Sequence, residues 1–206
     1  MDETSSPAPR RRDREATAAA LLDAAKAVFA ERGFDAATTR EIAAGAGVNE
    51  QLIQRYFGGK SGLLLAVVDS FGREEGQGCT LPPPGDDLEA EILRFLELQA
   101  EHTWKCRDLS KVVLDRALVD AEVAERMGRT LSDSRIPCML ARLEALRGRG
   151  LIDAGADLPS VAAGLASLSF ALGFMERVVF DRDPGRVCAI ARSLARTMAH
   201  GLAPRP

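Results

Sequence analysis

The sequence predicts an all-α fold in which a small three-helix unit precedes a larger helical domain. Apolar residues recur at helical spacing along most of the chain, and no segment alternates with period two for long enough to make a convincing strand. A third observation sets the division. Gly76, Gly78, Pro82, Pro83, Pro84 and Gly85 argue against a helix through 76–85, so the boundary between the two parts is expected there. With 206 residues and 46% hydrophobic composition, the chain is long enough for a small domain joined to a larger one.

Residues 1–12, MDETSSPAPRRR, combine Ser, Thr, Pro and charge with almost no apolar surface, and read as a disordered basic tail. A first helix over 13–32 puts Leu21, Ala25, Val28 and Phe29 on one stripe, and Gly33 is placed to cap its end. Thr38 and Glu41 form a T-x-x-E capping box for a second helix over 39–46, which stops at Gly45-Ala46-Gly47. Asn49 caps a short third helix from residue 50 to 56 or 57, with Val48 placed as a hydrophobic staple against Ile53. Gly58-Gly59 breaks it, and a connecting helix over 61–78 follows Lys60, carrying Leu63, Leu64, Val67, Val68 and Phe71 on its apolar face. Beyond the break, helices are expected over 86–104, 109–118, 121–147, 158–180 and 184–200. Pro137 should kink the long helix or split it, and Asp183 with Pro184 should open the last one.

Charge and cysteine usage narrow the function classes. Lys and Arg total 27 against 30 for Asp and Glu, giving a net charge of -3 and a pI of about 5.5, so any nucleic-acid surface must be local. Four cysteines, Cys79, Cys106, Cys138 and Cys188, stand singly without a CxxC pair, and no stretch has a signal-peptide pattern; a cytoplasmic setting fits. The longest apolar run, 161–173, falls short of the roughly 20 residues of a spanning helix, so no membrane partner is expected.

Between residues 38 and 60, TTREIAAGAGVNEQLIQRYFGGK, apolar Ile42, small Ala43, Gly47 at the turn, and apolar Val48 and Ile53 have the spacing by which two helices cross steeply. Ala43 must be small because the second helix passes over it. The stretch AAKAVFAERGFDAATTREIAAGAGV, then RYF at Arg55–Phe57 and Lys60, resembles the DNA-binding domain of the tetracycline-repressor (TetR) family of transcriptional regulators, over roughly residues 17–68. That resemblance implies a helix-turn-helix DNA-binding domain at 13–60, whose third helix enters the major groove, and an effector-binding and dimerisation domain at 86–206. Base readers are then Glu50, Gln51, Leu52 and Gln54, and phosphate contacts Thr38, Thr39, Arg40, Arg55, Tyr56 and Lys60. Gln54 departs from the aromatic residue often found there in the family. Arg10, Arg11, Arg12 and Arg14 read as an arm reaching a minor groove or backbone, or as a solvated tail.

The resemblance further implies a homodimer, joined through the last two helices, on double-stranded DNA with a pseudo-palindromic operator. It also implies a small hydrophobic or amphipathic effector whose binding releases a repressor. Phe95, His102, Trp104, Met139, Phe170 and Phe174 are residue types suited to line its pocket, and Met175 could join them. No cofactor or metal is expected. Control by a protein partner without a small effector is the alternative; a helical enzyme is a lesser one. Its best lure, Gly59-Lys60-Ser61, lacks the P-loop glycine five residues earlier, where Gln54 stands, and His102 and His200 have no metal or triad spacing around them.

Overall fold

The computed structural model describes residues 9–77 and 83–204, and among them nine α-helices follow one another without a strand. They group into two compact units. The first comprises α1 (Pro9–Ala36), α2 (Thr39–Gly45), α3 (Gln51–Phe57) and α4 (Lys60–Gln77) as far as Ser70, together with Lys111–Arg126 from the end of α6 (Arg107–Ala117) and the start of α7 (Ala121–Gly148). The rest of α4, α6 and α7 joins α5 (Leu88–Lys105), α8 (Leu158–Phe170) with a π-helical continuation (Ala171–Val179), and α9 (Pro184–Leu202) in the second.

The α1 stripe closes the first unit as its spacing requires. Leu21, Ala25 and Phe29 are buried together with Ile42, Ala43, Ile53, Leu63, Leu64, Val67 and Val68. Gly33 takes φ 76° and ψ 173° and interrupts the helix where the cap was expected. At the other end α1 starts earlier than expected: residues 9–12 are helical rather than a tail, while residues 1–8 lie outside the described residues. Pro9 stands in the first turn, where its missing N–H is not needed, and arginines extend an already nucleated helix at little cost. The inclusion of Lys111–Arg126 is the larger surprise. Val113 and Val123 are buried, and Arg126 pairs with Asp69 of α4 at 2.7 Å.

In the second unit α5 packs against α8, the π-helical segment and α9. Its core gathers Ile92, Phe95 and Leu96 of α5, Met139, Leu143 and Leu146 of α7, Leu165 of α8 and Ala191 of α9. Asp87 and Asp183 cap α5 and α9, accepting from the Ala90 and Arg186 N–H groups at 3.1 Å each. Gly173 lets the π segment lie close on α5: a Cβ there would stand 2.6 Å from the Ala100 carbonyl oxygen. Pro137 does not split α7, which is one helix from Ala121 to Gly148; buried Met139, Leu143 and Leu146 hold the turns beyond it in place. Nor does the break begin at Gly76, since α4 runs to Gln77; residues 78–82 are outside the described set.

Two polar features were not foreseen. Glu91 of α5 and Arg142 of α7 form an ion pair, both side chains below a tenth exposed, through Arg142 Nε at 3.2 Å and Nη2, and Glu91 also accepts from the Gly85 N–H at 3.1 Å. Cys138 is disulfide-bonded, while Cys106 and Cys188 carry free thiols. Leu158–Val179 is also longer than the apolar run suggested, 22 residues with a mean hydropathy of 1.6, enough to cross a membrane by length and composition. Its Leu158, Ala162, Leu165, Leu172 and Phe174 are buried within the second unit, as in a core helix.

Candidate nucleic-acid interface

The helix-turn-helix is built from its caps inward. Glu41 N–H donates to Thr38 Oγ1 at 3.2 Å, and Thr38 N–H donates back to Glu41 Oε2 at 3.1 Å, completing the capping box. The Thr38 hydroxyl, donating to Glu41 Oε2 at 2.9 Å, and the Thr38 N–H hold the Glu41 carboxyl below its ordinary value, with the Arg32 guanidinium at 2.6 Å adding to them. The turn closes through Ala46 N–H to Ile42 O at 3.0 Å and Val48 N–H to Ala43 O at 3.0 Å, with Gly47 at φ 66°. Asn49 then caps α3, its Oδ1 accepting from the Gln51 N–H at 2.8 Å. At the far end Gly58 and Gly59 take φ 74° and 113° and turn the chain into α4. Gly62 is equally constrained, because a Cβ there would lie 1.8 Å from the Phe57 carbonyl oxygen.

With Ile53 buried, α3 shows solvent Gln51, Gln54 and Arg55, with Leu52 and Tyr56 half-buried beside them. Arg40 of α2 is exposed as well. Among the described residues neither Arg40 nor Arg55 has an ion-pair or hydrogen-bond partner, which leaves both guanidinium groups available. The Tyr56 ring lies 5.3 Å from the Arg14 guanidinium of α1.

Three of the expected phosphate donors are otherwise committed. The Thr38 hydroxyl donates to Glu41 Oε2 at 2.9 Å, and the Thr39 hydroxyl to Glu50 Oε1 at 2.5 Å; a hydroxyl has one proton to give. Lys60 has three, and its Nζ meets three carbonyls at the end of α1: Phe34 at 2.8 Å, Ala37 at 2.9 Å and Asp35 at 3.2 Å. It is a brace across the α1 terminus, where the helix dipole favours a cation, and not a free charge at a DNA edge. The Phe34 ring adds to the brace, with Lys60 Nζ 4.6 Å and the Arg116 guanidinium 4.9 Å from its centroid. Phe34 escaped the sequence reading because its partners on α4 and α6 are remote in the chain.

The six expected pocket residues lie away from the cavity described in the second unit. Phe95 and Met139 are sealed in the core, and Phe170 and Phe174 stack on one another at 5.4 Å and 11°. His102 Nε2 lies 3.8 Å from Cys106 Sγ, and the Trp104 ring has the guanidinium groups of Arg107 and Arg177 at 4.6 and 4.4 Å. None of the six lines the cavity of about 730 Å³ between α5, the π segment and α9, whose walls include Leu93, Arg94, Glu97, Leu172, Arg177 and Val187. Large aromatic and sulfur side chains fill a core before they line a cleft, and residue type alone cannot separate the two. Among the described residues no three His, Cys, Asp or Glu side chains cluster so as to hold a metal ion.

Residues 21–67 match the family model described as bacterial regulatory proteins, tetR family. The chain is 35% identical over 167 residues to the HTH-type transcriptional repressor Rv3405c of Mycobacterium tuberculosis, covering 79% of this chain and 78% of that one. It is 38% identical over 91 residues to the HTH-type transcriptional repressor SCO4008 of Streptomyces coelicolor, 44% of this chain and 46% of that one. Among solved structures, a TetR-family regulator from Pectobacterium atrosepticum superposes with a TM-score of 0.67 at 22% identity, covering 95% of this chain and 98% of that one. The regulator FadR of Bacillus subtilis, solved in complex with stearoyl-CoA, superposes at 0.68 with 16% identity, covering 89% and 98%. Its relatives are regulators and not enzymes; with the helix-turn-helix framework in place and the match extending well past it, the chain belongs to the TetR family of DNA-binding transcriptional regulators.

Proposed function

We propose that the protein is a cytoplasmic repressor that binds a pseudo-palindromic operator as a homodimer and leaves it when a small amphipathic molecule occupies the second unit. The exposed polar face of α3, held on the buried Ile42, Ala43 and Ile53, carries the reading. Gln51 and Gln54 supply amides that can pair with adenine edges, Leu52 an apolar contact for a thymine methyl, and Glu50 an acceptor for a cytosine amine, with Thr39 orienting its carboxylate. Arg40, Arg55 and Tyr56 supply the phosphate contacts, and Thr38, Thr39 and Lys60 hold the frame from which they act. The cavity beside α5 has the volume of a ligand site, with aliphatic walls and a charged rim of Arg94, Glu97, Glu101 and Arg177, the last two paired at 2.7 Å, which suits an amphipathic molecule.

Dimerisation is assigned to the outer face of α8, the π segment and α9. Leu165 and Leu172 point into the monomer core and are excluded from it; Met175, Val179 and Phe180 are 39, 52 and 51% exposed. Gly164 has open space around its Cβ position, which permits a close approach by a second chain.

Selection of bound sequences from a random duplex pool tests the proposal, with Gln51→Ala compared with the wild type. Recovery of a two-fold symmetric site whose base preference relaxes at one symmetric position in Gln51→Ala is expected, at about 1–3 kcal/mol of lost discrimination. Sedimentation of Met175→Glu at micromolar concentration should show monomer. Recovery of no preferred duplex, or a dimer indifferent to Met175→Glu, would overturn the corresponding half.

A further inference from the structure

We propose that the molecule received by the cavity beside α5 is a lipophilic monocation, an aliphatic body carrying one ammonium-type head, and that the Glu97 carboxylate selects that head. The inference rests on the reading of this cavity as the effector site and names the chemical class it takes.

The charged lining decides the class once each ionised group is matched to its partner. The walls carry Arg94, Glu97, Glu101 and Arg177, of which all but Arg177 belong to α5. Arg177 reaches Glu101 at 2.7 Å and its guanidinium lies 4.4 Å from the Trp104 ring centroid, so these two charges answer one another. Arg94 stands 3.8 Å from Glu91 and keeps 45% of its side chain in solvent, where water and that carboxylate screen it. Glu97 differs from the other three. It is half-buried in the cavity wall, and among the described residues its carboxylate has no ion-pair or hydrogen-bond partner.

A carboxylate partly withdrawn from water has lost hydration that no protein group here restores. A cation entering the cavity restores it, and weaker screening in a partly enclosed site makes that contact stronger than the same pair on an open surface. An anionic head meets the opposite condition, because Arg177, the less exposed of the two guanidinium groups, is already engaged by Glu101 and Trp104. The body of the ligand is set by the remaining walls. Leu93, Leu96, Leu172, Val187 and Ala191 offer only aliphatic surface, which favours a saturated chain or ring over a body studded with hydroxyls.

The test uses the full-length protein without DNA and three probes that share a decyl chain and differ in head charge: decyltrimethylammonium, decanol and decanoate, each below its micellar concentration. Dissociation constants come from calorimetry. Trp104, the chain's one tryptophan, reports occupancy through the adjacent Arg177 of the cavity wall. The cation is expected to bind more tightly than the alcohol or the carboxylate by roughly tenfold, the size of one charge-assisted contact, with a change in Trp104 emission. Glu97→Gln keeps the shape and removes the charge; it should bring the cation down to the affinity of the alcohol and leave the alcohol unchanged. Arg94→Gln should preserve the wild-type order, and thermal melts verify that both variants are folded. Equal affinity for the three heads, or decanoate foremost, overturns the cationic class while leaving the cavity as a binding site. A cation preference undiminished in Glu97→Gln overturns the role of that carboxylate. Trp104 emission unmoved by any of the three overturns the effector-cavity reading beneath the proposal.

Discussion

Lys60 illustrates how a side chain's chemistry can be read correctly while its task is not. A lysine after a recognition helix suits a phosphate, but its three protons already have three carbonyl acceptors and its charge rests beside the Phe34 ring. Lys60→Met should therefore lower the melting temperature, at about 1–3 kcal/mol, because the terminal α1 carbonyls lose a charged donor. Its salt slope for DNA should match the wild type, whereas that of Arg55→Ala should be shallower by about 0.9 per phosphate. Equal melting temperatures with a shallower slope would return Lys60 to the phosphate set. Legibility at this scale follows distance along the chain. The capping box and the Asn49 cap are local and were readable from spacing; Thr39–Glu50, Phe34–Lys60 and Arg14–Tyr56 join different helices, and periodicity holds no record of them.

Among the elements, α5 and α7 are tied by an interaction that titrates. Burial pushes the Glu91 carboxyl up, but hydrogen bonds from Arg142 and the Gly85 N–H, with the charges of Arg142 and Arg94, outweigh it and hold the group below its ordinary value. A carboxyl depressed on folding stabilises the protein fully above its unfolded value, near 4.5, and loses that contribution as pH falls through the lower folded value. Thermal melts from pH 7 down to pH 3 should show an acid-side loss of stability that is blunted in Glu91→Gln. That variant should be less stable at pH 7 by about 3–5 kcal/mol, since it leaves Arg142 charged in the interior. Identical acid limbs would remove Glu91 as their source. Helix α9 with its Asp183 cap was legible, because a cap is a local device. The π segment was not: Gly173 marks close approach, yet nothing in composition distinguishes an i+5 ladder from an α-helical one.

For the molecule as a whole, helix count and class were readable, and the division into parts was only half so. The Pro- and Gly-rich stretch does interrupt the helical pattern, but it is a break in the chain and not the edge of a folding unit. An amphipathic stripe records that one face is buried without naming what buries it, so α6 and α7 could not be apportioned in advance. The first unit draws on Val113, Arg116, Val123 and Arg126 from well beyond the break.

That sharing has a practical corollary for anyone wishing to transplant the DNA-reading head. A contiguous cassette ending in the Pro-rich stretch at 83–84 would leave behind two core valines, the guanidinium over Phe34 and the ion-pair partner of Asp69. Expressed alone, residues 1–85 should melt well below the intact chain in circular dichroism, by more than 10 °C for roughly 3 kcal/mol of missing burial in so small a domain. A fragment as stable as the parent would show that 111–126 is dispensable. Modular exchange between regulators built this way thus calls for grafting two separate pieces of sequence at once, and a single crossover point in the obvious linker cuts through the head it is meant to deliver.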